Sequence, residues 1–346
     1  MRNAWYVIMF SDDLRKDQSY QAKLFGDPLV IFRDHMGVAT CFLDSCPHRM
    51  VPLSLGKVCR GTIECAHHGW RYDGSGRCVH IPLLPEKQQI PKTARAHTYP
   101  TIERGGAVWV WPGDPREADA SLIRLPTDLP GRLTHAHSMA VLFPTRYDLL
   151  IEHVLDMPHV FGSHDSTLLK YLPRPRAGGV PEFFNVDDHG DELTLNLRDP
   201  SRPDAEPVLI RIFHPCHLSI DVPLPWGRYY KFMFFHTPID EAQTRGVAFQ
   251  YRDFLTAPVI KQGFNWAFAS MVHRTIRDDL SVFSGQMENV SKRAISTTSY
   301  YFDALMTKYH KWQRRREDEH MWFEGFDHAI ARYDRKTDAA DRPPAR

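Results

Sequence analysis

The sequence predicts an α+β protein with two unlike halves, a small N-terminal all-β domain and a larger domain that combines an antiparallel sheet with helices. Short alternating runs separated by turn signals fill residues 5–111, which is typical of small β domains. A second series of strand-like runs occupies residues 193–252. Patterns of apolar residues at helical spacing flank that series, after Arg146 and after Tyr301.

The length, composition and charge of the chain are those of a soluble protein. Its 346 residues are enough for two domains, and 42% hydrophobic with 25% charged residues is ordinary for a soluble protein. The 43 basic and 42 acidic residues argue against a nucleic-acid partner or a membrane surface bound through bulk charge. Apolar runs are too short to span a membrane, and the N-terminus lacks the pattern of a signal peptide.

Six cysteines are too few for a disulfide framework in a chain of this length. Two of them belong to the metal motif described below. We interpret the others as reduced thiols, which predicts a cytoplasmic protein. These four are Cys41, Cys59, Cys78 and Cys216.

Turn chemistry divides the N-terminal domain into hairpins. Asp73–Gly76 is a hairpin turn, and Pro112–Pro115 ends the last strand of the domain. The strands expected here include residues 29–32, 38–43, 70–72, 78–81 and 107–111.

Two loops of this domain each combine a cysteine with a histidine. The first is Cys46-Pro47-His48-Arg49, and the second is Cys65-Ala66-His67-His68-Gly69-Trp70. Two cysteines and two histidines can bind zinc, or a [2Fe–2S] cluster in which the histidines replace two cysteines on one iron. A single residue between Cys46 and His48 is unusual for zinc, but these residues alone leave both metals open.

A second group of possible ligands follows on a predicted apolar helix. Glu152, Asp156 and His159 are spaced at i, i+4 and i+7, so one helix stripe would carry all three. His159 and His164 can face one metal only if the helix breaks between them, which Gly162 permits. Two histidines and a carboxylate form the facial triad of non-heme Fe(II) sites. The alternative is that both histidines are ordinary surface or core residues.

Together these motifs resemble those of the Rieske-type non-heme iron oxygenases. C-x-H followed by arginine, C-x-x-H-G-W and D-x-x-H-x-x-x-x-H occur here in the order found in that family. The flanking sequences are similar to the branch of vanillate O-demethylase and dicamba monooxygenase. They lie at residues 3–7, 52–56, 76–82 and 108–114.

The resemblance implies a division of labour among the four loop residues. Cys46 and Cys65 would bind one iron of the [2Fe–2S] cluster, and His48 and His68 would bind the other. His67 lies where relatives carry a residue that is not a ligand, and no role is assigned to it.

The resemblance also implies a mononuclear iron bound by His159, His164 and Asp279. Asp279 is favoured over the adjacent Asp278 by its register with the family pattern. From the residues alone, this acidic pair would equally suit the N-terminus of a helix, where acids are favourable.

The family pattern implies an N-terminal Rieske domain at residues 1–112. Proline, aspartate and alanine are frequent in residues 113–132, which predicts a linker there. A helix-grip catalytic domain would then span residues 133–333, followed by a flexible tail at residues 334–346. We expect Phe232, Phe234 and Phe235 to pack in its core.

The implied activity is that of the terminal oxygenase in a multicomponent system. A separate reductase, alone or with a ferredoxin, would supply electrons from NAD(P)H, and O2 would serve to hydroxylate or demethylate a small aromatic substrate. One alternative is cis-dihydroxylation of an aromatic ring, and another is an electron carrier without a catalytic iron. The sequence predicts no substrate-binding residues.

The resemblance finally implies a head-to-tail homotrimer, in which the cluster of one subunit serves the iron of the next. Asp156 would bridge His68 of one subunit to His159 of its neighbour and act in catalysis through that link.

Overall fold

A computed structural model describes most of the chain. The described residues are 1–125, 133–156, 159, 163, 184–190, 192–198, 204, 206–292 and 308–313. Contacts divide the chain into two units. The first comprises Arg2–Asp128 and Phe235–Asp240, and the second comprises Leu129–Phe234 and Glu241–Arg346 together with Met1.

The first unit is an all-β structure of small antiparallel sheets. Among the described residues, their strand orders are β1-β11-β10, β2-β3-β4-β9 and β5-β6-β7-β8. The predicted all-β character is confirmed, and the turn at residues 73–76 joins β7 to β8. The strands are β1 (Tyr6–Phe10), β2 (Ser19–Leu24), β3 (Asp27–Arg33), β4 (Ala39–Leu43), β5 (Lys57–Cys59), β6 (Thr62–Glu64), β7 (Arg71–Tyr72), β8 (Cys78–His80), β9 (Thr98–Tyr99), β10 (Thr101–Arg104) and β11 (Ala107–Val110).

The core of this unit reaches directly to the metal loops. Phe32 on β3 and Phe42 on β4 pack edge to face, with ring centroids 5.1 Å apart. The same apolar cluster includes Tyr72, Cys46 and Cys65. Both cysteines therefore belong to the packed interior, although the loops that carry them begin at strand ends.

The predicted linker at residues 113–132 begins with two short 3₁₀ turns, Pro115–Glu117 and Ala120–Leu122. The indole Nε1 of Trp5 donates to the carbonyl oxygen of Asp119 over 2.8 Å. This first part is therefore bonded to the first unit, and residues 126–132 lie outside the described residues.

The second unit is built on a seven-stranded sheet of order β12-β18-β17-β16-β15-β14-β13. All five strand-like runs predicted between residues 193 and 252 are present. Two outer strands, β12 and β13, were not predicted. The strands are β12 (Thr134–Phe143), β13 (Phe184–Asp188), β14 (Glu192–Leu197), β15 (Val208–Phe213), β16 (His217–Leu224), β17 (Arg228–Pro238) and β18 (Thr244–Arg252).

The helices described beside this sheet include α1 (Tyr147–Leu155) and α2 (Pro258–Lys292). The 35 residues of α2 correspond to about 50 Å of helix. Asp278 and Asp279 lie well inside α2, so the interpretation of this acidic pair as a helix N-terminus is wrong. Residues 308–313 are also helical and bury Tyr309 and Trp312, as the predicted amphipathic pattern requires.

The rest of that predicted helix and the predicted tail at residues 334–346 lie outside the described residues. Within the described part of the chain, no helix is both long enough and apolar enough to cross a membrane.

α2 lies against the sheet through one apolar stripe. Val272 packs with Met139 of β12 and Ala248 of β18. One turn further, Ile276 contacts the same layer, and Phe283 packs edge to face on a β12 phenylalanine. Because residues 272, 276, 279 and 283 follow helical spacing, Asp279 lies on the face that α2 turns toward the sheet.

Candidate metal centres

The two cysteine loops of the first unit have the same backbone design. In the first loop, the amide of Cys46 donates to the carbonyl oxygen of Val51 over 2.9 Å. The carbonyl oxygen of Cys46 accepts from the amide of Met50 over 2.7 Å. The chain thus closes a tight turn around the cysteine.

The second loop repeats these bonds at the same spacing. Cys65 donates to Trp70 over 2.8 Å and accepts from Gly69 over 3.0 Å. The fourth residue after each cysteine is left-handed, with φ of 57° at Met50 and 68° at Gly69. A non-glycine residue rarely adopts this conformation, so the backbone of the first loop is strained at Met50.

These turns place sulfur inside and imidazole outside. Cys46 and Cys65 are 2% and 3% exposed, whereas His48 is half-buried and His68 is exposed. The two imidazole rings lie 4.7 Å apart, and His48 stacks on the Trp70 indole at 4.5 Å. The four predicted ligands thus converge on one place, in an arrangement that fits an inner thiolate-bound iron and an outer histidine-bound iron.

A buried hydroxyl contacts one of these sulfurs. The hydroxyl of Tyr72 lies 3.2 Å from Sγ of Cys46, and Tyr72 is fully buried. Burial, and then the contact with Cys46, raise the pKa of Tyr72. The hydroxyl therefore keeps its proton and can donate it to a Cys46 thiolate.

Protonation of the ligands follows from their environments. Burial, and then the neighbouring Cys46 thiol, raise the pKa of Cys65, so iron binding displaces a proton from it. Partial loss of hydration, followed by the charges of the neighbouring imidazoles and Arg49, lowers the pKa of His68. This favours the neutral imidazole that binds metals.

His67 lies beside this group. Its ring is exposed and contacts the ring of His68 edge to face, with centroids 3.9 Å apart. It occupies the second position after Cys65, as His48 does after Cys46.

A second possible metal site lies in the second unit. His153, His159 and Asp279 offer ligand atoms that all lie within 4.8 Å of one another, and all three are half-buried. Nε2 of His153 is 2.9 Å from Oδ1 of Asp279, and the two imidazole centroids are 3.8 Å apart. Two histidines and one carboxylate are the donor set of non-heme Fe(II) sites, so this group marks a candidate site for a mononuclear iron.

The end of α1 sets the orientation of His159. The helix stops at Leu155, and Asp156 caps it by donating its amide to the carbonyl oxygen of Glu152 over 2.8 Å. The carbonyl oxygen of Asp156 then accepts from both the amide and Nδ1 of His159. Because Nδ1 is occupied, Nε2 is the nitrogen of His159 left for a metal.

The first unit is similar in sequence to a known domain family. Residues 4–100 match the family model of the Rieske [2Fe-2S] domain, and this range contains all four predicted cluster ligands. The chain is 39% identical over 202 residues to chlorophyllide a oxygenase of Chlamydomonas reinhardtii, which covers 58% of this chain and 29% of that protein. It is 28% identical over 281 residues to 4β-methylsterol monooxygenase of Methylococcus capsulatus, covering 79% of this chain and 73% of the relative.

The chain carries a Rieske [2Fe–2S] domain and is similar to Rieske non-heme iron oxygenases. The N-terminal unit is therefore a Rieske [2Fe–2S] domain, and the zinc alternative for the cysteine loops is wrong. The α+β fold class is confirmed. The crystal structure of dicamba monooxygenase bound to dicamba matches with a TM-score of 0.71 at 21% identity, over 92% of this chain and 97% of that chain, a likeness of fold. The chain spans less than two thirds of the length of several curated relatives.

The second site differs from the sequence prediction in its composition. His159 and Asp279 come together as predicted, and Asp278 is outside the group that could bind a metal. His164 and Gly162 lie outside the described residues. His153, which the sequence did not single out, is the additional member.

The predicted stripe of Glu152, Asp156 and His159 on one helix is wrong because α1 ends before Asp156. Glu152 instead pairs with Nε2 of His310 over 2.9 Å. A usable signal for His153 was its spacing of three residues from the buried Leu150, which places a polar ring on the core side of α1.

Apolar side chains pack beside the second site. Phe283 is fully buried, and its ring centroid lies 4.7 Å from that of His153. Phe143 and Leu150 complete this cluster, and Val141 and Ile276 extend it along the layer between α2 and the sheet. Apolar neighbours lower the local dielectric constant and so strengthen electrostatic interactions at the site.

The same layer becomes polar toward the start of α2. Nη2 of Arg252 donates to Oδ1 of Asn265 over 2.7 Å, and the hydroxyl of Tyr230 donates to Oε1 of Gln250 over 2.7 Å. His137 lines the same narrow crevice. The layer therefore runs from a metal-binding group, through apolar side chains, to a polar end.

Proposed function

We propose that this chain is the terminal oxygenase component of a Rieske system. In this proposal it accepts electrons from a separate NAD(P)H-dependent reductase and uses O2 to hydroxylate or demethylate its substrate. The observation that carries the proposal is the convergence of His153, His159 and Asp279 in the second unit. A chain that only carried electrons would need no second metal site.

The residues of the chain would divide the work as follows. When bound, the [2Fe–2S] cluster transfers single electrons and the mononuclear iron activates O2. Cys46, Cys65, His48 and His68 would hold the cluster. His159 and Asp279 would hold the iron, and His164 remains the further ligand expected from the sequence.

The surroundings of the second site bear on the class of substrate. Val141, Ile276 and Phe283 would present an apolar surface beside the iron and keep water from it. The names of similar proteins span chlorophyllide a, a 4β-methylsterol and dicamba. We therefore propose a largely apolar ring compound, of which the small aromatic substrate expected from the sequence is one kind.

Two other proposals follow from the resemblance. A head-to-tail homotrimer would bring the cluster of one subunit to the iron of the next, with Asp156 bridging the two. A reductase, with or without a ferredoxin, would be the partner. The cytoplasmic location expected from reduced cysteines stays a prediction.

An iron count tests the proposed function against the electron-carrier alternative. Protein purified without O2 and supplied with Fe(II) should contain three iron atoms per chain, two in the cluster and one at the mononuclear site. His159→Ala should contain two and keep the red-brown colour of the cluster. Two iron atoms in the wild-type chain would favour the carrier.

Products separate the oxygenase alternatives. With a compatible reductase and candidate substrates, monooxygenation gives formaldehyde release or a single new hydroxyl group. A diol that retains all carbon atoms would instead support cis-dihydroxylation.

A further inference from the structure

His153 makes three contacts within the proposed iron site. Its Nε2 lies 2.9 Å from Oδ1 of Asp279, across 126 residues of sequence. Its ring lies 3.8 Å from that of His159 and 4.7 Å from that of Phe283. His153 is thus held between the carboxylate and one imidazole of the proposed iron site.

We propose that His153 is a positioning residue of the mononuclear iron site, which holds Oδ1 of Asp279 so that only Oδ2 binds the metal. This inference rests on the proposed function. A distance of 2.9 Å is that of an ordinary N–H···O hydrogen bond. A nitrogen that donates its proton to Asp279 has no lone pair for iron, so His153 acts through the carboxylate.

The consequence lies in the number of open positions on the iron. A carboxylate that is free to turn can bind with both oxygens and fill a second position. A hydrogen bond to one oxygen restricts Asp279 to a single position, which preserves the open positions that a facial triad offers to O2 and substrate. Outer partners of this kind also raise metal affinity because they fix the ligand before the metal arrives.

The surroundings of His153 hold its side chain in place for this role. It lies in the last turn of α1, whose capping residue Asp156 also fixes Nδ1 of His159. Phe283, on the same helix as Asp279, covers its ring. The donor, His153, lies on α1 and the acceptor, Asp279, lies on α2. The packing of these two helices therefore sets the distance between the two groups.

Metal-binding measurements on two variants test this role without any substrate or reductase. His153→Phe keeps a flat ring but removes the donor, and His153→Gln restores an N–H at a similar reach. The probe is Fe(II) alone, added without O2 to protein that retains its cluster, with the dissociation constant measured against a competing chelator. Co(II) absorption then reports the coordination number. His310→Phe is the matched control, because His310 also contacts a carboxylate, Glu152, at 2.9 Å.

We expect His153→Phe to weaken Fe(II) binding about 10- to 100-fold and to raise the coordination number seen with Co(II). His153→Gln should bind nearly as the wild type does, and His310→Phe should be unchanged. Cluster absorption and thermal unfolding verify that each variant folds. If the Phe variant does not fold, His153→Leu takes its place as the variant without a donor, with the same expected loss of Fe(II) affinity.

Three results would overturn the inference. Unchanged Fe(II) binding in His153→Phe would make the contact structural only. Loss of binding in His153→Gln as complete as in His159→Ala would make His153 a ligand. A wild-type chain that binds no Fe(II) beyond its cluster would remove the proposed function as well, which distinguishes that failure from the other two.

Discussion

Tyr72 is the residue whose single contact bears most directly on the cluster. Its hydroxyl is buried 3.2 Å from Sγ of Cys46, and burial keeps it protonated. A hydrogen bond to a ligand sulfur stabilises the more negative, reduced cluster and so raises its reduction potential.

Tyr72→Phe should therefore lower the reduction potential of the cluster without removing it. A net hydrogen-bond contribution of about 1 kcal/mol corresponds to roughly 40 mV for a one-electron couple. A redox titration followed by the visible absorption of the cluster measures the shift. An unchanged potential would show that the hydroxyl does not donate to the sulfur.

Among the elements, α2 carries both the packing and the chemistry of the second unit. Asp279 lies on the same stripe as Val272, Ile276 and Phe283, which pack against the sheet. Apolar contacts on either side of Asp279 thus set the position of its carboxylate at the proposed metal site. A substitution that disrupts this packing should therefore also weaken metal binding.

Phe283→Ala should lower the free energy of unfolding by about 3–5 kcal/mol, because Phe283 is fully buried. It should also weaken Fe(II) binding, since the ring that covers His153 is lost. Urea denaturation and Fe(II) titration check these effects. The matched control is Val282→Ala, because Val282 is 43% exposed and should change stability by less than about 0.5 kcal/mol. Equal effects of both substitutions would contradict this account.

At the scale of the whole molecule, the proposed bridge between subunits can be tested at Asp156. The backbone oxygen of Asp156, rather than its side chain, holds Nδ1 of His159. Substitution of the carboxylate alone should therefore leave His159, the proposed iron ligand, in place. A change in turnover then reports on the proposed bridge between subunits.

Asp156→Asn should keep the iron content and the trimer but reduce NADH-coupled turnover by about tenfold or more. Metal analysis, a mass measurement in solution and O2 uptake with reductase provide the three readouts. Turnover equal to that of the wild type would exclude the bridge. A wild-type mass other than three times that of one chain would exclude the trimer.

The sequence by itself determined the cluster site and the fold class. Each loop of that site contains its cysteine and histidine within four residues, and its turn is closed by bonds of the same short range. Local spacing therefore carries almost all the information. The strand pattern was equally local, because alternation and turn residues act over a few positions. This pattern did not predict the outer strands β12 and β13.

Only the tertiary structure decided the composition of the second site. The bond between His153 and Asp279 joins residues 126 positions apart, and it depends on how α1 and α2 pack. The helix pattern around Asp156 predicted a continuous stripe, but the chain leaves the helix after Leu155 and turns His159 toward the carboxylate by a backbone bond. Spacing along the chain reveals ligands that a turn brings together, whereas ligands that two packed helices bring together depend on contacts that no local pattern contains.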